Sequence, residues 1–243
     1  AGAYCQRHRM TEVIFPPLMS GLAVTGGEDP FHTACLQAAV GCDAGLVVHN
    51  LSPDSLSAAI VFAPEVALQD AMAMLPVCGV GFQNALGALA PPEVAVHLEW
   101  GGGLRINGAK CGQMRVAAST ENPDEMPDWL VVGLSLPLWP KDDETGHSPD
   151  DTALYAEGCA DVEAPRLLES WARHTLNWIA RWSEEGVKPV HGEWRGLVHG
   201  MGEEATQNGQ TGSFLGVDER FGMLLRQGDD TTLIPLTTLL EDL

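Results

Sequence analysis

The strongest periodic signal in the chain lies in residues 165–185. Leu168, Trp171, Thr175, Trp178, Ile179 and Trp182 recur at helical spacing on one face, and Gly186 follows as a natural stop. The spacing predicts a long amphipathic helix whose tryptophan stripe packs into a core. Upstream, the apolar stretch 13–24 contains Pro16-Pro17, which suits an extended edge segment and not a helix. Residues 25–30 read as a turn into a second helix over 31–40, with Asp29 as N-cap and Pro30 in the first turn. Residues 45–49 and 57–63 read as strands joined by the turn cluster Asn50-Leu51-Ser52-Pro53-Asp54-Ser55. Residues 64–89 are rich in helix formers and predict a helix interrupted at Pro76. Gly79, Gly81 and Gly87 within it point to close packing against a sheet. Residues 94–100 read as a strand. Residues 104–110 read as strand, turn, strand, with Asn107-Gly108 as the hairpin signal, and 114–118 continue the second strand. A further apolar strand covers 129–138, and an exposed acidic loop covers 141–151.

The pattern changes after residue 196. Residues 203–210 are polar and read as a linker. Short strands at 211–218, 222–226 and 231–239 then predict a small β-barrel, too small for a deep core and therefore leaning on its neighbour. The division is a larger domain over 10–196 and a small β-domain over 197–243. Residues 1–9 look unlike the rest, and Met10-Thr11-Glu12-Val13 would make a natural start.

With 45% hydrophobic residues, the chain can build a substantial core. No apolar run is long enough to span a bilayer and no basic-then-apolar leader stands out, so a cytoplasmic protein is expected. Six cysteines show no C-x-x-C pair and no zinc spacing with histidine, so reduced, structural cysteines and no metal site are expected. The formal net charge is −20, and no Lys or Arg stands between Arg9 and Arg105. Nucleic acid and anionic membrane both demand clustered positive charge and are excluded as partners.

The stretch Trp100-Gly101-Gly102-Gly103-Leu104-Arg105-Ile106-Asn107-Gly108-Ala109-Lys110-Cys111-Gly112 resembles the signature of biotin protein ligases: W-P-N-D-[IL], a strand, N-G, a catalytic lysine and a glycine. Asp128-Trp129-Leu130-Val131-Val132-Gly133 is similar to a later strand of that family. Glu185-Gly186-Val187-Lys188-Pro189, with Trp194 after it, resembles its helix exit. The tail Gly216-Val217-Asp218 with Gly222-Met223-Leu224-Leu225 is similar to the SH3-like domain of bacterial biotin ligases, and Asp29-Pro30-Phe31 is closer to the lipoate ligase pattern. The resemblance runs from about Asp29 to the end. It implies an α+β fold: a mixed sheet packed by helices, of the class II synthetase and biotin/lipoyl ligase type, plus a small SH3-like β-barrel.

Such ligases join a carboxylic acid to ATP with the help of Mg²⁺, then pass the acyl group to a lysine on a carrier domain. The resemblance makes Lys110 the clamp on carboxylate or acyl-phosphate. Trp100, Gly101, Gly102, Gly103, Arg105, Asn107 and Gly112 are carried over with it as substrate-binding residues. The residues themselves leave other readings open: a solvated hairpin lysine, a surface charge at Arg105, a flexible glycine turn. Cys111 beside Lys110 is a further candidate, as an acyl-carrying nucleophile against an inert buried thiol.

The sequence departs from the family where phosphate must be held. The G-R-G-R-x-G loop belongs between the strands at 45–49 and 57–63, and there the chain has no glycine and no arginine, only Asp54 as a charge. Polyphosphate needs fixed cations and N–H donors, and the basic residues nearby in sequence are Arg105, Lys110 and Arg115. Two functions remain open: a ligase or acyltransferase for a biotin- or lipoyl-type acid and a carrier domain, or a non-catalytic descendant that keeps the pocket for a small molecule or carrier.

Overall fold

Strand side chains alternate between two faces, and in the central sheet that alternation meets two different covers. The structure is a computed structural model describing residues 12–140 and 150–242. Expectations for residues 1–9, the start at Met10 and most of the acidic loop (141–149) fall outside those residues. The sheet has seven strands: β1 (Ser20–Ala23), β2 (Leu46–Leu51), β3 (Ser55–Phe62), β4 (Val96–Leu98), β5 (Gly103–Ile106), β6 (Ala109–Ala118) and β7 (Leu130–Pro137). Their order is β1-β2-β3-β7-β6-β5-β4. β1 runs parallel to β2 and the other pairs are antiparallel, so the sheet is mixed.

One face carries Leu56, Ile60, Met114, Val116, Val132 and Leu134 into the main core. There it meets α3 (Met74–Gly87) and α4 (Ala164–Glu185). The tryptophan stripe of α4 is core as expected, with Trp171 fully buried and its indole N–H donating to the Cys78 carbonyl at 3.1 Å. Gly81 of α3 lies against Thr175 of α4, where a Cβ would come within 2.6 Å of the threonine Oγ1. The close approach expected of these glycines is thus helix on helix at Gly81. The helical break falls at Met72-Ala73, between α2 (Leu68–Ala71) and α3, and not at Pro76. Pro76 sits in the first turn of α3, where its missing N–H has no intrahelical acceptor to lose.

The other face carries Val48, Ala59, Val61, Ala117 and Val131 against α1 (Pro30–Ala39) in a smaller core. Asp29 caps α1 by accepting the Phe31 N–H at 3.0 Å, with Pro30 at the start.

After Gly186 the chain forms α5 (Lys188–Leu197), burying Val190 and Trp194. No local signal in the sequence announces this helix, which begins two residues beyond the stop at Gly186. The small domain is a four-stranded antiparallel sheet in the order β11-β10-β9-β8, built from β8 (Glu204–Gln207), β9 (Gln210–Val217), β10 (Met223–Gln227) and β11 (Asp230–Ile234). The expected linker at 203–210 is therefore β8 and its turn into β9. Asn208-Gly209, both at positive φ, makes that turn, and the same dipeptide signal as Asn107-Gly108 was present in the sequence. The β-domain leans on the larger one as expected. The Trp100 indole N–H donates to the Phe221 carbonyl at 2.6 Å, and Arg220 pairs with Asp70 at 2.8 Å.

Candidate functional site

Helix α1 covers only half of its face. The row Val48, Ala59, Gly133, Arg115 lies in direct cross-strand register beneath it. Phe31 rests on Gly133, where a Cβ would come within 2.6 Å of the ring. The next row is Asn50, Ser57, Ser135, Gln113 and Gly103, again in register across five strands. Ser135 and Gln113 are exposed, and Asn50 and Ser57 are half-buried. The Asn50 amide donates to the Gly26 and Glu28 carbonyls at 3.1 and 3.2 Å, fixing the loop before α1 as one wall. This polar floor was not singled out from the sequence. Its signal was a pair of alternating serines at the start of β3 (Ser55, Ser57) and one outward serine in the otherwise apolar β7.

Lys110 reaches the same face through a β-bulge. Gly103 pairs with Gln113 and Leu104 with Gly112, but Arg105 pairs with Lys110, leaving Cys111 as the extra residue. Lys110 and Gln113 are three positions apart, so a regular strand would send them to opposite faces. The bulge restores Lys110 to the side of Gln113 and turns Cys111 into the main core. Lys110 is exposed, and its backbone is held by the stretch 150–152: its N–H donates to the Asp150 carbonyl at 2.7 Å and its carbonyl accepts the Thr152 N–H at 2.7 Å. Cys111 is buried, and burial pushes its thiol up to about 12, with Glu157 and Cys159 adding to the shift. Its place in the main core fits the inert buried thiol and not an acyl-carrying nucleophile.

The other carried-over residues divide between two places. Arg105 shares the Lys110 row, but its guanidinium is engaged by Glu99 at 2.6 Å and the Gly108 carbonyl at 2.6 Å. Asn107 builds the hairpin turn at φ 52°, accepting from the Ala95 N–H at 3.0 Å and donating to Glu157 at 2.9 Å. Gly112 packs over β7, with a Cβ there 2.6 Å from the Ser135 carbonyl oxygen. Trp100, Gly102 and Gly103 line a cavity of about 20 Å³ at the seam with the β-domain, together with Trp194 and Phe221. That volume holds about one water. Gly102 is at φ 88° and a Cβ there would run into the Met114 carbonyl, so the turn demands glycine; Gly101 is exposed. Lys110 is not among the residues lining this seam cavity. Gly103 also stands in the open row opposite Gln113, two residues from Arg105, which pairs with Lys110.

Arg115 lies at the edge of the floor, over the Phe31 ring at 4.3 Å. Asp29 binds its Nη2 at 2.7 Å and Glu241 its Nη1 at 3.6 Å. The β2–β3 connection is a tight turn, Ser52-Pro53-Asp54, in which the Ser52 hydroxyl accepts the Asp54 and Ser55 N–H groups at 3.3 and 3.0 Å. A bound polyphosphate would need this connection's N–H groups and fixed cations. Among the described residues the turn spends its N–H groups within itself, Ser52 on the Ser55 carbonyl and Asp54 and Ser55 on the Ser52 hydroxyl, and Arg105 and Arg115 are already paired with carboxylates. The residues present do not fit ATP in the way the family's loop would. No group of three or more His, Cys, Asp or Glu side chains suited to a metal occurs among the described residues, and no helix there is long and apolar enough to cross a membrane.

Comparisons with known proteins agree with this architecture. The crystal structure of a biotin protein ligase-like protein of unknown function from Silicibacter sp. TM1040 is 68% identical, with a TM-score of 0.90, over 95% of this chain and 100% of that one. Biotin protein ligase from Aquifex aeolicus is 15% identical with a TM-score of 0.72, over 91% and 96% of the two chains. The Leishmania major biotin protein ligase in complex with biotin is 12% identical with a TM-score of 0.56, over 90% and 98%. These last two establish the fold alone. Among curated proteins none matches the sequence. Residues 201–242 match a domain of unknown function, DUF4444. Residues 15–196 match the biotin/lipoate A/B protein ligase family, and the chain belongs to that family.

Proposed function

We propose that this protein binds a small carboxylic acid of the biotin or lipoyl type on the open half of its sheet, without activating it by ATP. The observation that carries this reading is the closed β2–β3 connection: where a phosphate-holding loop would stand there are three residues, Ser52-Pro53-Asp54, and the only charge is negative. The acid's carboxylate pairs with the Lys110 ammonium, and its body lies along Gln113, Ser135 and Ser57, whose polar groups supply hydrogen bonds. Arg105, Asn107 and Gly112 hold the hairpin that presents Lys110. Trp100, Gly101, Gly102 and Gly103 serve the same end from a distance, by fixing the strand start against the β-domain, which we read as SH3-like. The division at residues 196 and 197 and a cytoplasmic location belong to the same reading.

A related fold supports the choice of ligand. The Aquifex enzyme, at 16% identity, was solved in complex with biotin and ATP. A second reading, a ligase or acyltransferase delivering the acyl group to a carrier-domain lysine, is favoured by one observation: the bulge that returns Lys110 to the open face.

Calorimetry with biotin, lipoate and octanoate, beside pyrophosphate exchange with ATP and Mg²⁺, separates the two. The expected result is heat with one acid, weakened about tenfold or more in Lys110→Ala because a charge-assisted hydrogen bond is lost, and no exchange. Exchange abolished by Lys110→Ala would establish the ligase reading instead. No heat with any acid would defeat the binding reading.

A further inference from the structure

The segment Leu240–Asp242 does more than end the described chain. Leu240 lies in a parallel bridge beside Val116, and the Glu241 N–H donates to the Val116 carbonyl at 2.9 Å. β5 ends its pairing with β6 at Gln113, so this segment takes the strand edge that β5 leaves free. The pairing sets Glu241 against Arg115, one residue from Val116. The guanidinium then faces two carboxylates from two distant parts of the chain: Asp29 hydrogen-bonded to Nη2 at 2.7 Å, and Glu241 as a charge contact 3.6 Å from Nη1. The Arg115 side chain keeps 32% of its exposure, so the group is covered by charge and not by burial.

We propose that segment 240–242 is an intrasteric strap: the Glu241 carboxylate occupies the Nη1 arm of Arg115 and keeps an anionic group of a ligand off this corner of the open face. The inference rests on the open face being a binding site and adds its regulation. Asp29 cannot play this part, because its second oxygen caps α1 and its place is fixed by the helix. Among the described residues the strap is held by the Glu241 N–H on the Val116 carbonyl and by Leu240 packed against the main core, so a partner or ligand that lifts it exposes Nη1 without unfolding α1. Displacement removes one facing carboxylate and opens the Nη1 side to one oxyanion, which suits a carboxylate or a single phosphate and not a polyphosphate.

The probe is inorganic phosphate, titrated into the full chain and followed by calorimetry and by the amide signals of residues 113–116. Glu241→Gln keeps the side chain's shape and removes its charge. An exposed charge pair is worth little, so the expected gain in phosphate affinity is about two- to fivefold. Glu241→Lys should gain at least as much. The gain must vanish in Glu241→Gln combined with Arg115→Ala, and Glu204→Gln on the outer strand β8 must show none. Unchanged affinity in both Glu241 variants would overturn the strap, as would a gain that survives Arg115→Ala. An equal gain in Glu204→Gln would assign the effect to overall charge and overturn it as well. Binding of an organic acid that depends on Lys110 is a separate readout, so failure here and failure of the acid-binding reading remain distinguishable.

Discussion

The two faces of the central sheet are made by the same strands and have opposite character. On one face, Leu56, Ile60, Val132 and Leu134 disappear into the main core under α3 and α4. On the other, α1 covers Val48, Ala59 and Gly133 and then stops, leaving Asn50, Ser57, Ser135 and Gln113 in the open. The difference teaches where function can reside in this fold. A polar group without a partner is costly on a face packed by both long helices, whereas a half-covered face can hold a row of hydrogen-bonding groups on a rigid floor.

The contrast is sharpest at Trp171. Truncating this fully buried indole, Trp171→Ala, should cost about 3–5 kcal/mol by transfer and cavity terms, read as a fall in the denaturant midpoint. Gly133→Val tests the boundary between the covered and open halves. Its side chain would strike the Phe31 ring, and overpacking of this kind costs about 1–3 kcal/mol. If α1 were not seated there, urea unfolding of the variant would match the parent.

Acid probes the covered side more gently. Burial holds the His49 imidazole below its ordinary value of 6.5, and burial with Arg173 does the same to His174. The unfolded chain therefore takes up these protons first. Stability is full above about 6.5 and falls as pH drops through the folded values, by at most about 1.4 kcal/mol per pH unit for each histidine. His49→Gln should flatten the melting temperature against pH between neutrality and acid; a slope equal to the parent's would show that His49 does not contribute.

The smallest stability effect belongs to the open row. Ser135→Val replaces an exposed hydroxyl on a strand and should move stability by no more than about 0.5 kcal/mol. The same change should weaken acid binding severalfold in calorimetry. A variant that unfolds easily, or one that binds as well as the parent, would erase the distinction between the faces.

Much of this architecture was legible in the chain. The stripe on α4, the Asp29 cap and the Asn107-Gly108 hairpin are local signals with local causes, and each stands where the pattern put it. The missing cationic loop was equally legible, because it is a matter of which residues are present. β8 and α5 were missed for different reasons: a polar edge strand has no apolar alternation to announce it, and a helix directly after a glycine stop reads as its exit.

Sequence alone determined the family resemblance, the types of the elements with strong local signals, the acidic charge and the lack of arginine at the β2–β3 turn, since all of these follow from residue identity and short spacing. Tertiary structure alone decided which residues share a face. A single bulged residue, Cys111, changes the parity of β6 and so carries Lys110 to the open floor. The pairing of Arg115 with Asp29 and Glu241 was likewise decided there, because it joins residues far apart in the chain whose meeting depends on strand register and not on any local preference.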